Sequence, residues 1–232
     1  MLQKGLSVCL IDKAVFPRPK TCAGLVTEKT YRLVRALFGE QDPDGLFCDT
    51  VSEITLFGKT APLAHTGIGI PFRMADRTVF DNGLVERCRQ LGGILLEGQL
   101  DYAIDYDRHV ITLADGGVVW YDYLVFADGA LSRAHRDFGL SRTPLAFCVE
   151  TFVPSGAMET AGVEIHFGRM PLGYLWVFPH GDRVCVGLVN RFSKAFPYRK
   201  LLEDFLKEWG VDPAPPEGPG CFPALRKTAS PE

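Results

Sequence analysis

The chain has 232 residues, 47% of them hydrophobic and 23% charged, with a formal net charge of −3. That balance fits an ordinary globular protein of one large or two small domains, and it gives no electrostatic case for nucleic acid or an acidic membrane surface. The 7 cysteines are scattered and the 5 histidines show no ligand spacing, so neither a disulfide scaffold nor a metal site is expected, and a reducing cytoplasm fits best. No apolar run approaches the roughly 20 residues of a spanning helix.

Residues 6–12, Leu-Ser-Val-Cys-Leu-Ile-Asp, read as a strand closing on Asp12. An acidic residue there suits the second strand of a dinucleotide-binding βαβ unit, where the carboxylate accepts hydrogen bonds from a ribose; an ordinary buried strand is the alternative. A loop follows, then a helix over 27–38 with Tyr31, Val34, Leu37 and Phe38 at helical spacing, Thr27 as N-cap and Gly39 as stop. A strand is expected at 51–57. A second helix covers 77–91, with Val79, Phe80, Leu84, Val85 and Cys88 on its apolar face.

Strands are expected at 94–104, 109–113 and 118–126, the last two joined by an Ala-Asp-Gly-Gly turn at 114–117. Four more follow at 146–153, 163–167, 174–178 and 183–189, with His180-Gly-Asp182 turning between the last two. A helix near 198–209 and a proline- and glycine-rich loop at 213–223 complete the reading. His166 and His180 sit in or beside strands and read as structural or solvated.

Four segments carry chemistry. The first, Phe16-Pro-Arg-Pro-Lys-Thr-Cys-Ala-Gly24, holds two cations, Arg18 and Lys20, a thiol, Cys22, and a small-residue turn, Ala23-Gly24, that permits close backbone approach. The second runs from Tyr123 through Ala127-Asp128-Gly129 to Ser132, Arg133 and Arg136; by itself it reads as a strand and a helix capped by Ser132 or Asp128. The third, Tyr174-Leu-Trp176-Val-Phe178-Pro179, followed by Gly187, puts three aromatics on one strand face. The fourth is Arg73-Met-Ala-Asp-Arg77-Thr-Val-Phe80-Asp81 at a helix start.

Together these segments resemble the geranylgeranyl reductase family of flavoproteins, whose fold is that of para-hydroxybenzoate hydroxylase. The correspondences are FPRxKxCxG, GADGxxSxxR, YxWxFP…GxG and RxxFD. The resemblance implies an α/β (α+β) protein: an incomplete FAD-binding Rossmann-like domain plus a mostly antiparallel β substrate domain. It implies FAD as cofactor, with Asp12, Arg18, Lys20, Ala23, Gly24, Arg77, Asp128 and Gly129 as its contacts. NADPH or another electron donor would reduce it. It also implies an isoprenoid or another apolar small molecule as substrate, lined by Tyr174, Trp176, Phe178, Pro179 and Gly187. Cys22 is the catalytic candidate, close to flavin and substrate, with an inert buried thiol as the alternative. Arg77 has the competing reading of an exposed helix-start arginine.

Three positions depart from the family pattern. Phe126 replaces the first glycine of GADG, His135 its arginine, and Val189 the second glycine of GxG. Gly5 is the only glycine before Asp12, whereas the family places a Gly-x-Gly-x-x-Gly turn there, so the chain reads as truncated at both ends, weak in FAD binding and inactive as this fragment. The expected domains are 1–140, a partial FAD-binding domain of which 50–73 joins the substrate sheet; 141–222, the substrate domain; and 223–232, the start of a C-terminal FAD segment. A lipid substrate implies peripheral membrane contact. A flavin-dependent monooxygenase or halogenase and a non-catalytic lipid-binding remnant remain alternatives.

Overall fold

The structure is a computed structural model describing residues 1–140, 145–212 and, by backbone alone, 226–229. In chain order its elements are β1 (Cys9–Ile11), β2 (Leu25–Val26), α1 (Glu28–Phe38), β3 (Asp49–Phe57), β4 (Pro62–Met74), α2 (Arg77–Gln90), β5 (Ile94–Leu96), β6 (Tyr102–Asp105), β7 (Val110–Leu113), β8 (Val118–Trp120), α3 (Arg133–Asp137), β9 (Leu145–Pro154), β10 (Val163–His166), β11 (Gly173–His180), β12 (Arg183–Arg191), α4 (Tyr198–Glu208) and β13 (Arg226–Ala229). The expected loop at 213–223 and most of 223–232 lie outside the described residues. Two compact units emerge, one from Met1–Pro19 with Arg77–Ala127, the other from Lys20–Asp76 with Asp128–Glu232.

In the first unit β1 and β5 pair in parallel, Leu10 opposite Leu95, while β6, β7 and β8 form an antiparallel meander. The strand expected over 6–12 is shorter, although the Asp12 N–H continues its ladder by donating to Leu96 O at 3.0 Å. The expected segment 94–104 breaks in two. Glu97 turns its carboxylate to the Phe16 N–H and Arg89, each at 2.7 Å, and Gly98 takes φ 69°. The strand expected over 118–126 stops at Trp120. The Tyr121 N–H donates to His109 O at 3.0 Å, β7 has no residue further along to pair, and Tyr123 and Val125 are exposed. On α2, Val79 is exposed, and Asp81 and Val85 are the buried residues.

The second unit is built on an eight-stranded sheet of order β13-β9-β12-β11-β10-β3-β4-β2. Its pairs are antiparallel except β10 with β3. One face packs under α4: Leu202, Phe205 and Leu206 meet Phe147, Val149, Leu175, Val177, Val186 and Leu188. The opposite face gathers Val51, Met74, Cys148, Val163, Trp176, Phe178 and Cys185. Burial on both faces explains the unbroken apolar run of β12, which alternates nothing. Tyr31, Val34 and Phe38 of α1 are buried, whereas Leu37 faces solvent. The 13-residue β4 was not expected, because Gly67, Gly69 and Pro71 punctuate it.

Candidate functional site

The Cys22–Gly24 turn lies on the sheet face opposite α4. The Cys22 N–H donates to Glu150 Oε1 at 2.8 Å, and Glu150, on β9, is only 3% exposed. Its other oxygen accepts the Cys185 thiol at 3.8 Å, and Cys185 Sγ accepts the Trp176 indole N–H at 3.4 Å. Burial, reinforced by the Glu150 charge, holds the Cys185 thiol far above its ordinary pKa, so it stays protonated as a donor. His180 Nε2 lies 2.7 Å from Ala23 O. A carbonyl only accepts, so Nε2 carries the proton, and Nδ1 faces Cys48 Sγ at 3.4 Å. Gly24 has φ 75°, and a Cβ there would sit 2.2 Å from Ala75 O and 2.8 Å from His180 Cε1. The turn therefore requires glycine, and the Ala75 N–H closes it on Gly24 O at 2.9 Å.

The aromatic strip forms part of the same face. Ring centroids are 6.3 Å apart between Tyr174 and Trp176 and 6.5 Å between Trp176 and Phe178. Trp176 and Phe178 are buried, and Tyr174 is 37% exposed. Burial, with lesser contributions from Cys148 and Cys22, raises the Tyr174 pKa, so its phenol remains neutral. Gly187 pairs with Trp176 across β11 and β12. The indole lies over it, where a Cβ would be 2.2 Å from Trp176 Cζ2. Pro179 alternates to the other face with Leu175 and Val177.

Other predicted site residues stand in different surroundings. Arg18 and Arg77 converge on one carboxylate: Arg77 binds Asp81 through Nε at 2.7 Å and Nη2 at 2.9 Å, and Arg18 Nη1 lies 3.1 Å from Asp81 Oδ2. Arg77 is thus a half-buried, bidentate partner, not an exposed helix-start residue. Asp12 Oδ1 accepts the Ala14 N–H at 2.8 Å. Lys20 is exposed. Asp128 and Ser132 cap the five-residue α3, accepting the N–H groups of Arg133 at 2.8 Å and Ala134 at 3.2 Å. Burial pushes the Asp128 pKa up, but hydrogen bonds from Ser132 and the Arg133 N–H outweigh it and hold the carboxyl below its ordinary value. Gly129, at φ 82°, opens to clear space.

Sequence reasoning did not single out Glu150, Cys185 or Cys48, and it read His180 only as structural or solvated. Glu150 had one signal: a lone carboxylate inside the continuous apolar run 146–153. Such a run belongs to a strand buried on both faces, where a charge needs donors.

No family model matches the chain. An uncharacterized protein of Methanosarcina barkeri is 28% identical over 92% of this chain and 55% of its own length. The geranylgeranyl diphosphate reductase of Rhodobacter capsulatus is 27% identical over 81% of this chain and 49% of its own length. The digeranylgeranylglycerophospholipid reductase of Methanococcus aeolicus is 26% identical over 62% and 40%. The chain thus spans about half the length of the curated relatives it matches. Among solved structures, a geranylgeranyl bacteriochlorophyll reductase-like protein of Thermoplasma acidophilum superimposes with TM-score 0.74 at 17% identity, covering 97% of this chain and 60% of that one. The halogenase PltM, in complex with phloroglucinol and FAD, gives TM-score 0.67 at 14% identity, covering 90% and 52%. By sequence the chain is a homologue of geranylgeranyl and digeranylgeranylglycerophospholipid reductases, and by architecture it carries the fold of FAD-dependent oxidoreductases.

Proposed function

We propose that the chain forms the Cys22 turn and the apolar substrate face of an FAD-dependent reductase acting on isoprenoid C=C bonds. The observation that carries this reading is the meeting of the two segments on one sheet face, Cys22 tied through Glu150 and Cys185 to Trp176. Two features suit a bound flavin. Among the described residues, the Thr21 hydroxyl, beside Cys22, is buried with no protein partner, and the backbone at Gly129 has open space before it. Flavin, when bound, supplies hydride to one alkene carbon.

The chain's own residues would do the rest. Tyr174, Trp176 and Phe178 offer an isoprenoid flat apolar area with few polar demands. Cys22 is the proton donor to the second carbon. NADPH or another donor reduces the cofactor, and a lipid substrate brings peripheral membrane contact. No helix among the described residues is long and apolar enough to cross a membrane.

The test is single-turnover reduction of a geranylgeranyl substrate with excess reduced FAD, read by mass spectrometry as gain of hydrogen. Loss of a general acid typically costs about 10²- to 10⁴-fold. Cys22→Ala should lose rate in that range without weakening substrate binding. Cys22→Ala at full rate would overturn the assignment.

A further inference from the structure

Two buried ionisable side chains converge on one short turn. Glu150 and His180 are 3% and 2% exposed. Glu150 Oε1 accepts the Cys22 N–H at 2.8 Å, and His180 Nε2 lies 2.7 Å from the carbonyl of the next residue, Ala23. One main-chain donor and one main-chain acceptor flanking the Cys22–Ala23 peptide are therefore held from two different strands, β9 and β11. Each holder is itself oriented. Glu150 Oε2 accepts Cys185, whose sulfur accepts the Trp176 indole N–H. His180 Nδ1 faces Cys48 Sγ, and its ring stands edge-on to Phe152 with centroids 5.4 Å apart.

We propose that Glu150 and His180 are positioning residues that fix the Cys22–Gly24 turn against the aromatic face, so that the Cys22 thiol is presented in one geometry. The proposal rests on the reading of Cys22 as the reactive thiol, but the clamp itself does not depend on turnover. Burying a carboxylate in an apolar sheet is costly without donors. A strand position that only had to pack would carry an apolar residue, as its neighbours Val149 and Cys148 do. A charge-assisted bond from a backbone N–H to a carboxylate is also stronger and more directional than a neutral one. The same logic applies to His180, whose ring faces a carbonyl that would otherwise be left without this donor. The Trp176–Cys185–Glu150–Cys22 chain further couples the turn to the substrate strip: whatever moves the indole changes the acceptor held on Cys22.

Hydrogen exchange resolved to single amides, combined with alkylation of Cys22 followed by peptide mass spectrometry, tests this. In Glu150→Met the Cys22 amide should exchange at least tenfold faster and Cys22 should alkylate several-fold faster, while amides of β9, β11 and β12 keep their protection. Glu150→Gln can still accept from the Cys22 N–H and should restore most of that protection. His180→Phe should loosen the same turn, and His180→Gln, which can donate to Ala23 O, should rescue it. An unchanged Cys22 amide in a folded Glu150→Met variant would overturn the proposal. If Glu150→Met does not fold, the wild-type protein decides: a Cys22 amide exchanging about as fast as an unstructured peptide contradicts the clamp, and strong protection supports it. Because neither readout uses flavin or substrate, a chain that fails the reductase assay can still pass this test, and the two failures remain distinct.

Discussion

Gly187 has no room for a side chain. A Cβ there would sit 2.2 Å from Trp176 Cζ2 and 2.7 Å from Val149 O, and one of those atoms is backbone. Overpacking of this kind typically costs about 1–3 kcal/mol. Gly187→Ala should therefore lower the denaturant midpoint by an amount in that range and shift the Trp176 emission, because the indole is what can move. An unchanged midpoint and spectrum would show that the strip is looser than its contacts imply. His180 gives a pH signature. Burial lowers its pKa, against the smaller opposing effects of the Ala23 carbonyl and Asp76, with Arg183, Asp49 and Cys48 also facing the ring. The fold thus refuses a proton that the unfolded chain accepts below about 6.5. Its contribution to stability is whole above that value, falls as the pH drops below it, and stops falling only beneath the folded-state pKa. Urea midpoints should decline as the pH falls from about 6.5 to about 5.5, and His180→Gln should flatten part of that decline. Glu150 marks the limit of sequence reading at this scale. Cys22 and the aromatics were legible as motif positions, whereas the role of Glu150 depends on β9 lying beside β12, which no local pattern encodes.

At the scale of elements, α1, α2 and α4 were legible because each has apolar residues at helical spacing, and β9, β11 and β12 because each is a dense apolar run. β4 was not, since Gly67, Gly69 and Pro71 break the pattern that its partner β3 restores by pairing through Thr50–Arg73 and Ile54–Thr66. The segment 118–126 failed in the opposite sense. It has strand composition, but its pairing with β7 ends at Trp120, with the Tyr121 N–H on His109 O as the last bond. α4 is the element whose packing is most directly testable. Phe205 is 1% exposed and meets His166 edge-on with centroids 5.1 Å apart. Phe205→Ala should cost about 3–5 kcal/mol by leaving a cavity under the sheet. Lys200→Ala removes only an exposed pair with Asp204 and should cost less than about 1 kcal/mol. Equal costs for the two would contradict the packing described.

For the whole molecule, the large sheet separates two kinds of work. One face is closed by α4 and carries stability. The other carries the Cys22 turn, the buried Glu150 carboxylate and the Tyr174–Trp176–Phe178 strip, and the functional proposal stands on that face alone. The fold class was readable from the motifs, through the family resemblance they carry. The sheet order, with β3 joined to β10 more than a hundred residues later, was fixed by long-range pairing that a linear pattern does not contain. The most direct test of the central claim is photo-crosslinking with a geranylgeranyl analogue bearing a photoreactive group, mapped by peptide mass spectrometry and competed with unlabelled isoprenoid. Saturable labelling confined to peptides holding Tyr174–Phe178 and Cys22, and reduced in Trp176→Ala, is the predicted result. Labelling that does not compete, or that falls on the α4 face instead, would contradict the account.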